Sequence, residues 1–219
     1  MAGLAIFALT LLKMYKDDVE EKFAELKESL EEKWPLESLG KEKLGIWVFL
    51  MSEILIFGSL IVAYAYVRLS SGSWPVASQT HDVTIGMVNT IILLTSSLAI
   101  VYGFHSIKAG NVKGLRIGLL STLVLGASFL IIKLGVEWPT YYRNGFTIGS
   151  GLPGSTYFVL TGLHAAHVGA GLAAVGYLLI RAFNGGFTGQ KHLAVENIGL
   201  YWHFVDIVWM FLFPLFYLI

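Results

Sequence analysis

The sequence predicts an all-α membrane protein, a polytopic bundle of five transmembrane helices preceded by an amphipathic N-terminal arm. Hydrophobic residues make up 55% of its 219 residues. Charged residues make up 14%, whereas soluble domains carry about a quarter. Ten of the fifteen Asp and Glu residues lie between positions 13 and 43. The rest of the chain is therefore too apolar to turn a polar face to water, which favours a membrane bundle.

The N-terminal arm, residues 1–43, is predicted to lie on the membrane or on a partner. Residues 1–12 are apolar but shorter than the roughly 20 residues that a spanning helix needs. Residues 14–33 carry apolar side chains at helical spacing among Asp, Glu and Lys, which is typical of a surface helix. Trp34-Pro35 ends this helix. The second predicted domain, residues 44–219, is the transmembrane bundle.

Five long apolar segments follow the arm, and turn-forming residues separate them. Each is long enough to cross a hydrocarbon core of about 30 Å. A spanning segment must satisfy its own backbone hydrogen bonds, and the alternation of a barrel strand is absent, so helices are predicted. The segments lie at about 45–69, 83–107, 114–138, 156–182 and 195–219.

Lysine and arginine predict the orientation of these helices. The arm, the connection between the second and third segments, and the connection between the fourth and fifth hold twelve of the fifteen basic residues. The opposite loops hold Arg68 and Arg143, and Lys133 lies inside the third segment. The sequence therefore predicts a cytoplasmic N-terminus and an external C-terminus.

Composition excludes several classes of site. The chain has no cysteine, which rules out disulfides, thiolate nucleophiles and cysteine-ligated metals. Its net charge is zero, so nothing indicates nucleic acid as a partner. The sequence shows no suitably placed Ser or Cys nucleophile beside His203 and Asp206, which disfavours a hydrolase triad.

Ionisable residues inside a membrane are costly, and each is a functional candidate. Helix length places five of them in one central band, where we expect them to meet one another or a lipid headgroup: Glu53, His164, His167, His203 and Asp206.

The spacing of these residues leaves two interpretations open. His164 and His167 share a helical face and are able to share a metal, but a closed site needs more ligands, and a hydrogen-bonded polar cluster is favoured. Asp206 follows His203 by three residues and is expected to bond its ring. Lys133 and Glu137 are expected to form a salt bridge near the outer end of the third segment.

Several blocks of sequence, in order, resemble the cytochrome c oxidase subunit III family. They are WVFLMSE at 47–53, Trp74-Pro75, NTIILLTSS at 89–97, GSTYF at 154–158, TGLHAAHV at 161–168 and YWHFVDIVWMF at 201–211. The resemblance implies the short, five-helix prokaryotic form, which lacks the first two of the family's seven helices. It further implies a multi-pass location in the prokaryotic cell membrane.

The resemblance also implies a role. It indicates bound phospholipid and no haem or metal on this chain. It also indicates subunit I and subunit II as partners, with a small fourth subunit as a further candidate, and haem and copper on partner subunits. The subunit would support proton uptake and stability during turnover in an oxidase that reduces oxygen to water. Glu53 matches the family's buried carboxylate. The candidates for a central polar cluster that contacts lipid or another subunit are His164, His167, Tyr201, Trp202, His203 and Asp206.

Two alternatives remain open on the sequence. One is a subunit-III-like accessory protein of a nitric oxide reductase system, which has the same five-helix plan. The other is a stand-alone transporter that uses Glu53 with the His and Asp residues, and it would require broken helices at a substrate site.

Overall fold

The computed structural model describes Glu20, Lys22, residues 41–72, Trp74 and residues 82–219. The predicted segments at 1–12 and 14–33, apart from Glu20 and Lys22, lie outside the described residues. The division of the chain at residues 43 and 44 therefore stays a prediction.

The described chain is helical and contains no strand in these ranges. Five of its helical stretches are long and apolar enough to cross a membrane; four contain a predicted segment, and the fifth, Leu193–Leu218, ends one residue before the predicted end at 219. The all-α fold with five spans is thus confirmed. Its elements are α1 (Lys41–Ser70), α2 (Val83–Lys108), α3 (Val112–Leu130), π1 (Ile131–Glu137), α4 (Trp138–Arg143), α5 (Gly151–Phe183), α6 (Leu193–Phe213) and π2 (Pro214–Leu218).

Short polar residues begin two of the spans. The Asp82 carboxylate accepts hydrogen bonds from the backbone N–H groups of Thr84 and Ile85, at 2.9 and 3.3 Å. The Asn111 side chain accepts one from Gly114 at 3.0 Å. Both supply acceptors to N–H groups that have no partner within the helix.

Two spans change from α- to π-helix near one end, which the sequence did not predict. The third span runs through π1 into α4, and the fifth ends in π2. A proline lies at each change: Pro139 follows π1, and Pro214 begins π2. Proline has no N–H to donate and its ring collides with the carbonyl four residues earlier, so the α-helical pattern cannot continue unchanged.

Glycine lets α2 and α3 touch backbone to backbone. A Cβ atom added at Gly118 would lie 2.6 Å from the Cα of Gly103 and 2.7 Å from the carbonyl oxygen of Ala99. No side chain larger than hydrogen fits there. This close contact fixes α2 against α3 near the connection between them, in the way small residues do in membrane helix pairs.

Long side chains hold α1 against the last span. Tyr64 Oη donates to the carbonyl oxygen of Leu215 at 3.0 Å. Arg68 Nη1 donates to Tyr64 Oη at 2.7 Å, and the same guanidinium donates to the backbone oxygen of Ile219. These contacts satisfy carbonyls at the end of π2 that have no partner within the helix.

Candidate functional site

Glu53 on α1 meets His167 on α5 inside the membrane-spanning region. Glu53 Oε2 lies 2.9 Å from His167 Nε2, and the two side chains are 11% and 18% exposed. His167 Nδ1 lies 2.8 Å from the carbonyl oxygen of Leu163. The Phe57 ring packs edge-on against the imidazole at 5.0 Å. This pair joins α1 to α5 across 114 residues of sequence.

The contacts of His167 fix where its protons lie. A carbonyl oxygen only accepts, so Nδ1 carries a proton and donates it to Leu163. The Glu53–His167 contact then holds one further proton, on Nε2 or on the carboxyl oxygen. The pair is neutral overall in both cases, either as two neutral groups or as an ion pair. Neutrality makes a carboxyl and an imidazole tolerable at this depth.

His164, one turn before His167, is bound to a different partner. Its ring is 1% exposed and Nε2 lies 3.2 Å from the carbonyl oxygen of Val205, to which it donates. The ring lies between Phe129 and Trp209, with centroid distances of 5.7 and 5.1 Å. His164 therefore ties α5 to α6.

His203 does not bond Asp206, contrary to the expectation from their spacing. Its Nδ1 lies 2.5 Å from Ser97 Oγ on α2. The Asp206 carboxyl is 4% exposed and lies beside the same Ser97 hydroxyl, without full hydrogen-bond geometry to it. Residues three apart lie on the same face of a helix, so their spacing made this bond plausible. His203 instead bonds a hydroxyl on the facing helix α2.

Tyr201 and Trp202 are packing and hydrogen-bonding residues. Trp202 is fully buried, and its indole N–H donates to Ser96 Oγ at 3.0 Å. A Cβ at Gly171 would lie 2.8 Å from its ring, so the glycine makes room for the indole. Tyr201 Oη donates to the carbonyl oxygen of His167 at 3.0 Å.

The five central ionisable residues therefore do not form one cluster. Glu53 and His167 bond each other, His164 bonds a backbone carbonyl, and His203 bonds Ser97, while neither Asp206 carboxyl oxygen has a hydrogen-bond partner among the described residues. No group of three or more His, Asp or Glu side chains with metal-site geometry occurs among the described residues.

A second polar cluster, centred on Lys133 and Glu137, is buried more deeply than the sequence indicated. The predicted ion pair is confirmed at 2.9 Å, but its side chains are 1% and 0% exposed. Lys133 Nζ also donates to the hydroxyls of Tyr157 and Tyr217. Both hydroxyls donate in turn to Glu137 Oε1. We call these four residues the Lys133 cluster.

The Lys133 cluster connects three spans. Lys133 and Glu137 come from π1, Tyr157 from α5 and Tyr217 from π2. All three protons of the ammonium have oxygen acceptors, and Nζ also lies 4.9 Å from the centre of the Trp209 ring. In the sequence, the i,i+4 spacing of Lys133 and Glu137 within an apolar segment was the signal that pointed to this cluster. The tyrosine partners are 24 and 84 residues from Lys133, beyond the reach of a local pattern.

A sequence model of the family described as cytochrome c oxidase subunit III matches residues 27–219, most of the chain. The chain belongs to this family. It is 39% identical to the cytochrome c oxidase subunit 3 of Bacillus subtilis over 206 aligned residues. This alignment covers 91% of the chain and 97% of that protein. It is 31% identical to that of Oryctolagus cuniculus over 220 residues, 97% of the chain and 80% of the relative.

A third relative of this subunit III chain is a longer protein. The heme-copper oxidase subunit I+III of Aeropyrum pernix is 36% identical over 224 residues, which cover 99% of the chain. The chain spans 27% of the length of that relative. The resemblance found in the sequence blocks is thereby confirmed, as is a multi-pass membrane protein of the haem–copper oxidase class. The comparisons do not favour the nitric oxide reductase accessory protein or the transporter.

Proposed function

We propose that this chain is the non-catalytic subunit III of a haem–copper terminal oxidase and that it packs on subunit I of that complex. The observation that carries the proposal is the Aeropyrum pernix relative, whose name joins subunits I and III in one chain. Its alignment covers 99% of the present chain. A fused pair indicates that the two units work side by side. Oxygen reduction to water with proton translocation belongs to the complex, with haem and copper on its other subunits.

The intramembrane contacts support a packing role for this chain. Glu53–His167 joins α1 to α5, His164 joins α5 to α6, and the Lys133 cluster joins three spans. Each of these contacts holds one helix to another. On this proposal the subunit supports proton uptake and turnover stability by presenting a rigid surface to its partner subunits.

The proposal is tested by gentle detergent extraction of the tagged full chain, with reduced-minus-oxidised spectra and metal analysis of what accompanies it. We expect a larger partner that carries haem and copper and consumes oxygen. Glu53→Ala should leave the haem spectrum of that complex intact, because no redox group is expected on this chain. Recovery of the chain alone, or with a haem protein that lacks copper, would contradict the proposal.

We propose that the N-terminus is cytoplasmic and the C-terminus external, because basic residues concentrate on one side. The absence of cysteine allows a direct test. Asn144, after α4, and Asn184, after α5, are exposed turn residues at opposite ends of α5. On intact cells, an impermeant maleimide should label Asn144→Cys and should label Asn184→Cys only after permeabilisation. The reverse pattern would invert the topology.

We propose that a phospholipid acyl chain lies in the groove between α1 and α5. The groove has a volume of about 180 Å³ and an apolar floor that includes Leu60, Val67, Val159 and Leu160. An apolar groove of this kind fits a hydrocarbon chain better than a polar ligand.

Filling this groove should release lipid. Val159→Trp is expected to lower the number of phospholipids that remain bound, counted by native mass spectrometry of the purified protein. Leu98→Trp, at an exposed position on α2 outside the groove, is the matched control and should retain the full number. Equal retention in both variants would place the lipid elsewhere.

A further inference from the structure

A second groove lies between α2 and α6 and carries polar groups. Its volume is about 170 Å³. Glu196 and His203 line it, seven residues apart on α6, or about 10.5 Å along the helix axis. Gly199 lies between them, and a Cβ there would have no atom within 4 Å. The remaining lining is apolar. The groove is therefore open along the line that joins the carboxyl to the imidazole.

His203 connects this groove to a buried carboxyl. Its Nδ1 lies 2.5 Å from Ser97 Oγ, and Ser97 also lies beside Asp206, one turn further along α6. Asp206 is 4% exposed, and no donor among the described residues reaches either carboxyl oxygen with full hydrogen-bond geometry. A buried carboxyl without such a donor is costly inside a membrane, which points to an exchangeable proton or water at this site.

The order of these groups allows a proton to pass along them. A serine hydroxyl has one proton and two lone pairs, so it donates to one neighbour while accepting from the other. In one direction His203 Nδ1–H donates to Ser97, and the Ser97 proton would pass to the neighbouring Asp206 carboxylate when the hydroxyl turns toward it. In the other direction the Asp206 carboxyl donates to Ser97, and Ser97 donates to Nδ1.

We propose that the groove between α2 and α6 holds water and that His203 and Ser97 carry protons between this water and the Asp206 carboxyl. With Asp206 ionised and His203 protonated on Nδ1 at the start, a hydronium ion in the groove gives a proton to Nε2 of His203 and becomes water. The Nδ1 proton then moves to Ser97 Oγ as the serine proton moves to Asp206. The ring ends neutral with its proton on Nε2, the carboxyl ends protonated, and only N–H and O–H bonds form and break.

Other ionisable groups that face α6 are engaged elsewhere. His164 donates to the carbonyl of Val205, and Lys133 with Glu137 bonds Tyr217. His167 accepts from Tyr201 through its carbonyl while its ring bonds Glu53. On α2, no acid or imidazole lies between Asp82 and His105. His203 is therefore the route from the groove to Asp206 that the described contacts provide.

The test is water-edited solid-state NMR on the full chain in lipid bilayers, labelled with ¹⁵N-histidine and ¹³C-aspartate. Polarisation transferred from water should reach both the His203 ring and the Asp206 carboxyl, whose signals are assigned with His203→Phe and Asp206→Asn. Gly199→Leu fills the groove, so both transfers should be lost. Gly58→Leu is the matched control, because a Cβ there also meets no atom within 4 Å, and it should keep both.

A second variant tests the step from His203 through Ser97 to Asp206 without changing the groove. Ser97→Ala should keep transfer to His203 and lose transfer to Asp206, because the hydroxyl between them is gone. Ser59→Ala removes a hydroxyl that bonds only its own helix, at the carbonyl of Ile56, and should keep both transfers.

Three results would overturn the proposal. Absence of water transfer to His203 in the unmodified chain would mean that a lipid chain fills the groove. Undiminished transfer to His203 in Gly199→Leu would mean that water reaches it by another path. Transfer to Asp206 that persists in Ser97→Ala or His203→Phe would show that protons reach Asp206 without passing through His203 and Ser97. Because the chain is tested without partner subunits, none of these results depends on its place in an oxidase.

Discussion

Replacing Lys133 with methionine should lower the free energy of unfolding by about 3–5 kcal/mol, the cost of leaving one member of a buried ion pair without its partner. Glu137 would keep the hydroxyls of Tyr157 and Tyr217 but lose the ammonium that balances its charge. The loss is measured by denaturant titration of the purified protein in detergent, followed by circular dichroism.

The double variant Lys133→Met/Glu137→Leu distinguishes charge from packing. Replacing both members of a buried pair with apolar residues of similar volume is often close to neutral. We therefore expect the double variant to recover most of the stability that the single variant loses. If the double variant is as unstable as Lys133→Met, the cluster stabilises the bundle through its hydrogen-bond geometry, and the charge argument is wrong.

Gly118→Ala should separate α2 from α3 and cost about 1–3 kcal/mol of stability, the usual range for overpacking. The added methyl group would lie 2.6 Å from the Gly103 backbone and 2.7 Å from the Ala99 carbonyl, and neither is able to move aside as a side chain does. Thermal unfolding, with the apparent Tm as the measure, tests this expectation.

Gly176→Ala on α5 is the control for this substitution. A Cβ there would meet the end of the Leu123 side chain at 3.5 Å, an ordinary contact. It also removes a glycine from a helix interior, so the two variants share the same gain in helix propensity, about 1 kcal/mol. An apparent Tm of Gly118→Ala equal to that of Gly176→Ala would show that the two backbones are not in close contact.

The Lys133 cluster shows which contacts a local sequence pattern predicts and which it does not. The spacing of Lys133 and Glu137 predicted their ion pair, because residues four apart lie on one helical face. It did not predict that the pair would be buried, since burial depends on α5 and π2 packing over it. Tyr157 and Tyr217 carry no signal of their own, because tyrosine is also common at membrane surfaces.

The polar residues of α5 and α6 also divide into features that the sequence predicted and contacts that it did not. The sequence identified His167 and His203 as intramembrane groups that need partners, and the structure supplied Glu53 for one and Ser97 for the other. Those partners are 114 and 106 residues away. Spacing along one helix made Asp206 the expected partner of His203, but the facing helix placed a hydroxyl closer.

The sequence by itself determined the number, length and approximate ends of the five spans, because each depends on local quantities: apolar length, turn residues and the lysine and arginine distribution. It also determined the family, through blocks of sequence in a fixed order. The tertiary structure alone decided which polar groups meet, where the two spans become π-helical and which grooves stay open. These depend on side chains that converge from different helices, and their distances are set by packing across the bundle.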